Sequence, residues 1–290
     1  MKILILGVKG QLGSDWKEFL EANPNDDIKA SYYDLPELDI SHKESVEHVL
    51  KKEKPDVVIN CAAYTKVDQA ENEKELARRI NAESVEDLAI LCESQGILLV
   101  HYSTDYIFAG RQEDEKRFPD GYPEEHKAEP INWYGQTKWE AEEAIRKAGD
   151  NHLIIRVAWL CGRYGGNFIK TMLRLGKERD TLKVVNDQTG SPTFTENVVK
   201  NTMALIKSDQ RGTFHLTSKG KVTWFDLAQE IFRIADLQIV VAPVTSEEFK
   251  TEAKRPHYSK MDTSKIAQVE GVEIEDWKVG LQRLISKLRK

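Results

Sequence analysis

Short apolar runs alternate with longer stretches of helical periodicity through the first half of the chain. Continuous apolar runs are typical of strands that are buried on both faces of a parallel sheet. The longer stretches have the periodicity of helices that cover such a sheet. The predicted strands span residues 3–6, 28–33, 57–59, 97–100 and 153–157. The predicted helices span residues 11–22, 43–52, 73–94 and 131–147.

This rhythm changes after residue 157, where predicted helices such as 168–177 and 225–235 are separated by turn-rich segments. We therefore predict an α/β fold with two lobes. A Rossmann-type doubly wound parallel sheet occupies residues 1–157, and a smaller mixed C-terminal substrate-binding lobe occupies residues 158–290. This division leaves room for later segments to return to the first lobe.

A polar and charged stretch, residues 110–130, contains three prolines and no clear periodicity. We interpret it as a long surface loop. Long loops inside compact enzymes often act as lids over a site. A solvated insertion without a role explains the same composition equally well, so the sequence leaves the role of this stretch open.

Composition excludes several classes of protein. The 290 residues carry a net charge of −6, which argues against a protein held on nucleic acid by phosphate contacts. No apolar run approaches the length of a membrane-spanning helix. The first predicted strand begins so close to Met1 that we expect no secretory signal peptide. Three widely spaced cysteines predict reduced thiols, no metal site and a cytoplasmic protein.

A glycine-rich turn follows the first predicted strand and opens the first predicted helix. Gly7 allows a sharp turn, Gly10 removes a side chain where the backbone must approach a pyrophosphate, and Gly13 allows the helix to pack closely on the strand. The N-terminus of the helix then presents free N–H groups to phosphate. The turn therefore predicts a dinucleotide site.

Two residues of opposite charge bear on the choice of dinucleotide. Asp34 follows the second predicted strand, where an acidic residue binds the adenine-ribose hydroxyls and favours NAD. Lys9 lies within the glycine turn and can instead meet a 2′-phosphate. Because these features conflict, the sequence leaves the preference between NADH and NADPH open.

Candidate chemistry lies beyond the ends of the third and fourth predicted strands. Tyr134 and Lys138 are four residues apart on one helix face, and a nearby ammonium lowers the pKa of a phenol. Such a pair can exchange a proton with an alcohol or a carbonyl. Thr104 follows the fourth strand and can hydrogen-bond a substrate carbonyl. The small residues of the segment 60–65 leave room for a cofactor, so these groups are predicted to share one crevice.

On these residues the chain resembles the extended short-chain dehydrogenase/reductase family over essentially its whole length. The most specific motifs in this resemblance are STDYIF and NDQTGSPTF. The motifs that carry it are GVKGQLG at 7–13, NCAAYTKVDQAE at 60–71, STDYIF at 103–108, YGQTK at 134–138, RVAWLCG at 156–162, NDQTGSPTF at 186–194 and AKRP at 253–256.

The resemblance implies a role for each matching residue. Tyr134 would be the general acid, Lys138 would bind the nicotinamide ribose and tune Tyr134, and Thr104 would orient the carbonyl. The residues implied at the cofactor are Gly7, Gly10, Gln11, Leu12, Gly13, Asp34, Asp39, Ile40, Ala62, Ala63, Tyr64, Thr65, Tyr134 and Lys138. The residues implied at the substrate are Thr104, Asp105, Trp159, Asn167 and Arg255.

The implied reaction uses NADPH or NADH to reduce the C4 keto group of dTDP-4-dehydro-6-deoxy-L-mannose, which gives dTDP-L-rhamnose. The partner is then a dTDP-sugar, with neither nucleic acid nor membrane involved, and the resemblance allows a homodimer. Another nucleotide-sugar 4-ketoreductase or a 4-epimerase fits the same motifs. A non-enzymatic binding subunit of this fold is less favoured, because Tyr134 and Lys138 are both present.

Overall fold

The apolar runs of the sequence become strands in a computed structural model, which describes residues 1–24 and 27–289. The strands are β1 (Lys2–Leu6), β2 (Lys29–Tyr33), β3 (Val57–Asn60), β4 (Leu98–Thr104), β5 (His152–Val157), β6 (Leu160–Cys161), β7 (Thr181–Val185), β8 (Thr189–Gly190), β9 (Thr193–Phe194), β10 (Gly212–His215), β11 (Val222–Thr223) and β12 (Val240–Val244). The helices are α1 (Gln11–Ala22), α2 (Lys43–Glu53), α3 (Val67–Ala70), α4 (Lys74–Arg78), α5 (Ser84–Ser94), α6 (Asp114–Arg117), α7 (Trp133–Ala148), α8 (Phe168–Glu178), α9 (Thr195–Lys207), α10 (Trp224–Ala235) and α11 (Trp277–Leu288).

The central sheet has six parallel strands in the order β2-β1-β3-β4-β5-β10. Two separate apolar clusters cover its faces: α1 and α9 pack on one side, and α2, α5 and α7 pack on the other. The predicted doubly wound Rossmann-type fold is confirmed. The strands read as continuous apolar runs because both faces of each strand are buried.

Two predicted elements differ from the structure. The helix predicted over residues 73–94 is divided into α4, a π-helical turn at Arg79–Glu83, and α5. The strand predicted at 97–100 continues to Thr104, because β4 pairs with β5 as far as Thr104.

Asn132 caps the N-terminus of α7, since its side-chain oxygen accepts the N–H of Gly135 at 2.8 Å.

The later part of the chain forms a smaller lobe and also completes the central sheet. Short strand pairs, β7 with β12, β8 with β11 and β6 with β9, surround an apolar cluster that includes α8, α10 and α11. Strand β10, however, pairs with β5 at the edge of the central sheet, and α9 packs on α1. The central sheet therefore draws on both sides of residue 157.

The stretch 110–130 lies largely at the surface, as expected, but a buried tyrosine anchors it to the rest of the protein. Tyr122 is fully buried, and its hydroxyl donates to Asp114 at 2.6 Å. Its ring stacks on Phe108 and on His126. A β-bridge joins Tyr122 to Met261 of the C-terminal lobe. The polar composition of the stretch gave no sign of this cluster, because partners of Tyr122 such as Phe108 and Met261 lie outside the stretch.

Helix α7 is fixed to the sheet by a buried ion pair. Glu142 accepts from Arg156 of β5 through both carboxylate oxygens, with N–O distances of 2.9 and 2.7 Å, and neither side chain is more than 2% exposed. The remaining Arg156 nitrogen donates to the carbonyl of Glu124. Burial raises the pKa of Glu142, but the Arg156 hydrogen bond and charge outweigh it and lower that pKa.

Removal of one partner of this pair should strongly destabilise the protein. Glu142→Leu leaves the Arg156 charge buried and unpaired, so we expect the free energy of unfolding to fall by about 3–5 kcal/mol. The double variant Glu142→Leu/Arg156→Met should recover most of that loss. Urea denaturation measures both effects, and the control Glu143→Gln, which changes an exposed ion pair, should cost about 1 kcal/mol or less. A Glu142→Leu loss equal to the control would contradict the role of the pair.

Candidate active site

The glycine turn has the geometry of a phosphate cradle. Gly7 has φ +77°, and a Cβ there would lie 2.5 Å from the Ala62 nitrogen. A Cβ at Gly13 would lie 2.2 Å from the Gly7 carbonyl oxygen. At Gly10 the nearest atom is 3.2 Å away, and the rest of that side is open. Gly7 and Gly13 are therefore required by close packing, and Gly10 keeps an approach to the backbone clear.

Helix α1 begins at this open side. Gly10 is its N-cap, and no side chain of the described residues caps it. The N–H groups of Gln11, Leu12 and Gly13 belong to the first turn, where an α-helix lacks intrahelical acceptors. The arrangement fits a pyrophosphate, which would accept these hydrogen bonds and meet the positive end of the helix dipole.

Asp34 lies directly after β2, where the sequence places it. Its carboxylate accepts the backbone N–H groups of Lys9 and Leu35, each at 2.7 Å. The Lys9 ammonium donates to the carbonyl of Leu35 and lies 3.3 Å from the Glu37 carboxylate. Asp34 and Lys9 therefore lie side by side next to the glycine turn, and the Glu37 carboxylate partly neutralises the charge of Lys9. Further along this segment, the Asp39 carboxylate accepts the Ser41 N–H.

The segment after β3 supplies small residues and one engaged tyrosine. Ala62 donates its N–H to the Asn60 side-chain oxygen at 3.1 Å. Tyr64 donates its hydroxyl to Glu73 at 2.6 Å, and this hydrogen bond, with burial, raises the pKa of Tyr64 to about 12. With Ala63 and Thr65, Tyr64 remains a predicted cofactor contact.

Tyr134 meets the end of β4 at the first turn of α7. The Thr104 hydroxyl donates to the Asp105 carboxylate at 3.0 Å and accepts the Tyr106 N–H at 3.2 Å, and it lies close enough to Tyr134 to act on its pKa. Burial, followed by the charge of Asp105, raises the pKa of Tyr134 well above its ordinary value near about 10. The sequence expectation that Lys138 lowers this pKa is wrong for the protein without ligand. Tyr134 is held as a neutral phenol, the form that donates a proton.

Lys138 lies one turn further along the same face and is 2% exposed. Burial lowers its pKa to about 8, against the opposing charge of Glu142. The side-chain nitrogen lies 2.9 Å from His101 Nε2. Sequence reasoning missed His101, although one signal was visible: a polar residue inside the otherwise apolar run of β4.

Two of the predicted substrate residues are already engaged with other side chains. Arg255 forms a two-point ion pair with Asp68, with N–O distances of 2.9 and 2.7 Å. The Asn167 amide donates to Gln11 of the glycine turn at 2.7 Å and to the Gly162 carbonyl at 2.8 Å. Asn167 therefore links the cofactor turn to the smaller lobe.

Trp159 completes the predicted substrate set, and its backbone is in the left-handed region with φ +47°. Its ring stacks on Trp224, with centroids 3.5 Å apart and planes inclined by 10°. Trp224 donates its indole N–H to Gln188 of the NDQTGSPTF motif at 3.2 Å. Sequence reasoning missed Trp224 because it matches none of the motifs and reaches the site only through the fold of the smaller lobe.

A doubly wound parallel sheet, a glycine turn after β1 and a Tyr/Lys helix beside the end of β4 define a short-chain dehydrogenase/reductase. The family model described as the RmlD substrate binding domain matches residues 1–290. The chain belongs to this family.

Relatives of known structure and name agree with this assignment. The dTDP-4-dehydrorhamnose reductase of Escherichia coli (strain K12) is 37% identical over 304 residues, which cover 99% of this chain and 98% of the relative. The crystal structure of a dTDP-4-dehydrorhamnose reductase from Clostridium acetobutylicum is 39% identical, covers 100% of both chains and has a TM-score of 0.94. That of Bacillus anthracis, in complex with NADP, is 38% identical, covers 99% of both chains and has a TM-score of 0.91.

The burial of Asp105 predicts a pH-dependent cost in stability. Burial raises the pKa of this carboxyl to about 6, against hydrogen bonds from Ser259 and Thr104. A raised carboxyl pKa adds stability at low pH, and this contribution is lost as the pH rises through about 6. Asp105→Asn should therefore stabilise the protein at pH 8 by roughly 1–3 kcal/mol, and by less near pH 4.5.

Urea denaturation of wild type and variant at both pH values measures this difference. Asp209→Asn is the control, because the Asp209 side chain is 89% exposed and its replacement should show little pH dependence. An Asp105→Asn effect that is the same at both pH values would contradict the assignment.

Proposed function

We propose that this protein is an NADPH- or NADH-dependent reductase that converts dTDP-4-dehydro-6-deoxy-L-mannose to dTDP-L-rhamnose. The observation that carries the proposal is the packing of the first turn of α7 against the segment that follows β4, where the rings of Tyr134 and Tyr106 lie 6.0 Å apart and Tyr134 stands beside Thr104 and Asp105. It places a protonated phenol beside a hydroxyl donor, in a chain that matches dTDP-4-dehydrorhamnose reductases over their whole length.

Tyr134 and Thr104 act together on the C4 oxygen of the sugar. Thr104, whose hydroxyl donates to Asp105 in the structure, would turn that hydrogen bond to the carbonyl and orient it, and Tyr134 would transfer its proton to the same oxygen as negative charge develops. The bound nicotinamide supplies the hydride that adds to the sugar C4. Asp105 raises the pKa of Tyr134, so the phenol keeps its proton until the carbonyl oxygen becomes basic.

The glycine turn and the Tyr/Lys helix hold the two halves of the cofactor. Gly10, Gln11 and Leu12 would bind the pyrophosphate through backbone N–H groups. Lys138 would bind the nicotinamide-ribose hydroxyls, and Asp34 would face the adenine ribose. The open side of Gly10 and the uncapped N-terminus of α1 support this placement.

Arg255 would bind the diphosphate of the substrate. Its planar guanidinium binds the Asp68 carboxylate at two points, and phosphate oxygens offer the same paired acceptors. Substrate binding then requires Arg255 to exchange or share its carboxylate partner. Trp159, stacked on Trp224, offers an aromatic face to the nucleotide-sugar, and Asn167 positions the adjoining backbone.

The rival functions differ in how they use the cofactor. A 4-epimerase retains NAD⁺ and returns the hydride to the same sugar, whereas a reductase exchanges its cofactor at every turnover. A related 4-ketoreductase exchanges the cofactor but acts on another sugar, and a binding subunit oxidises none. The homodimer and the cytoplasmic location remain predictions; none of the described helices has the length and apolar character needed to cross a membrane.

A substrate panel tests the function directly. Oxidation of NADH and NADPH is followed by absorbance with dTDP- and UDP-linked 4-ketosugars. We expect turnover with dTDP-4-dehydro-6-deoxy-L-mannose and dTDP-L-rhamnose as the product. Preferred turnover of a different 4-ketosugar would mean that this sugar, and not the proposed one, is the substrate. Tightly retained NAD⁺ with no net oxidation of NADH or NADPH would favour the epimerase.

Tyr134→Phe removes the proton donor while it preserves the ring. We expect kcat to fall by about 10²–10⁴-fold, with the cofactor dissociation constant nearly unchanged. Steady-state kinetics and fluorescence titration of the cofactor measure the two quantities. Tyr102→Phe is the matched control, because Tyr102 is a buried tyrosine of β4 that contacts Trp16 on the opposite face of the sheet. Turnover of Tyr134→Phe within threefold of wild type would remove Tyr134 from the mechanism.

Cofactor choice should depend on Asp34. Because Asp34 and Lys9 carry opposite charges beside the glycine turn, we expect kcat/KM for the two cofactors to differ by less than roughly 30-fold, or about 2 kcal/mol. Asp34→Ala should raise the NADPH/NADH ratio of kcat/KM, because it removes both the repulsion of a 2′-phosphate and a ribose acceptor. Asp34→Asn, which keeps an acceptor, should give a smaller change in the same direction. An unchanged ratio in both variants would mean that Asp34 does not face the adenine ribose.

A further inference from the structure

A chain of three buried polar side chains connects the sheet to the catalytic helix. Asn60 at the end of β3, His101 on β4 and Lys138 on α7 are each no more than 2% exposed. Asn60 Nδ2 lies 3.3 Å from His101 Nδ1, and His101 Nε2 lies 2.9 Å from Lys138 Nζ. Each contact joins two nitrogens, so one partner in each must supply a lone pair and the other a proton.

The orientation of the Asn60 amide is fixed by the backbone. The Ala62 N–H can only donate, and it donates to the Asn60 side-chain oxygen at 3.1 Å. The opposite atom of the amide is therefore the NH₂ group, which faces His101. An NH₂ group only donates, so His101 Nδ1 must be the acceptor.

The Asn60 contact determines the tautomer of His101. Burial keeps the pKa of His101 well below its ordinary range, so the ring is neutral. A neutral imidazole carries one proton, and Nδ1 is already an acceptor. The proton is therefore on Nε2, and it points at Lys138 Nζ.

A lysine accepts this proton only as a neutral amine, because an ammonium has three donors and no lone pair. Burial lowers the Lys138 pKa to about 8, so the neutral amine becomes the main form above pH 8. The other charged groups near Lys138 do not reverse this preference for the neutral amine. Glu142, on the same helix, favours the ammonium, but Arg156 of β5 holds that carboxylate at two points. Tyr134, the remaining titratable group on this helix face, is neutral, and Asp105 faces it from the end of β4.

We propose that Asn60 and His101 form a positioning pair that favours the neutral amine of Lys138 over the ammonium, and that Lys138 gains a proton when it leaves His101 for the ribose hydroxyls of a nucleotide. The first part stands on the contacts of this chain alone. The second part rests on the proposed function. His101 is thus a positioning residue that acts through Lys138, and cofactor binding is coupled to proton uptake.

The amine is observed directly by NMR of the full-length protein with ¹⁵N-labelled lysine, without cofactor. The Lys138 Nζ signal is assigned by its loss in Lys138→Arg. In wild type we expect it to titrate near pH 8, where an ordinary lysine titrates above about pH 10. A wild-type midpoint above pH 10 would overturn the proposal.

Two variants separate the tautomer from simple charge. Asn60→Asp places an acceptor opposite Nδ1, so the histidine proton moves there and Nε2 accepts from an ammonium. His101→Gln adds no charge but offers Lys138 an amide oxygen. Both should raise the midpoint by at least one pH unit, a tenfold gain in proton affinity. A rise in Asn60→Asp alone would assign the effect to the added charge and overturn the proposal.

His152→Gln is the matched control. This buried histidine begins the neighbouring strand β5 and contacts the Gly149 carbonyl, not Lys138. The Lys138 midpoint should not move in this variant. A movement equal to that in His101→Gln would show a general effect of histidine loss and contradict the proposal.

Calorimetry of NADPH binding tests the coupling. At pH 9, titrations in buffers of different ionisation enthalpy should show uptake of up to one proton by wild type and clearly less by His101→Gln. Binding without proton uptake in wild type would overturn the coupling and leave the proposed function intact. No binding of NADPH or NADH would instead contradict the proposed function, and the NMR titration would still decide the state of the amine.

Discussion

The buried ion pair between Glu142 and Arg156 fixes the helix on which the chemistry depends. Tyr134, Lys138 and Glu142 are spaced four residues apart, so they lie along one face of α7. Because Glu142 is held at two points by β5, the other two groups have little freedom relative to the sheet. Tyr134 therefore stands beside the segment that follows β4, and Lys138 contacts His101, because both residues lie on this anchored helix.

The parallel sheet brings the remaining groups to this helix. Its strands all end at the same edge, so the glycine turn after β1, the small residues after β3 and the polar end of β4 share one crevice. Burial in this crevice favours the neutral forms of the ionisable groups. It raises the pKa of Tyr134 and lowers that of Lys138. A phenol that keeps its proton and a lysine that titrates near neutral pH suit a site that must move one proton.

The smaller lobe is tied to the cofactor side by side chains rather than by a linker. Gln11 of the glycine turn accepts hydrogen bonds from Gly162 and Asn167, and Asp68 pairs with Arg255. These contacts cross between segments that are about 150 or more residues apart in the chain. The predicted substrate residues Asn167 and Arg255 are consequently held by Gln11 and Asp68 from the earlier part of the chain.

Apart from the edge strand β10, the sequence by itself determined the sheet, the glycine turn and the Tyr/Lys helix. Each of these leaves a local signature: continuous apolar runs, three glycines after a strand, and two residues one helical turn apart. The charge state of the site was decided only by the tertiary structure, because burial and partners distant in sequence set it. Burial, for example, reversed the expected shift of the Tyr134 pKa. The packed aromatic residues around Tyr122, the Asp68–Arg255 pair and the His101 contact with Lys138 likewise join distant segments. Their residue types were visible in the chain, but only the fold supplied the contacts that give them a role.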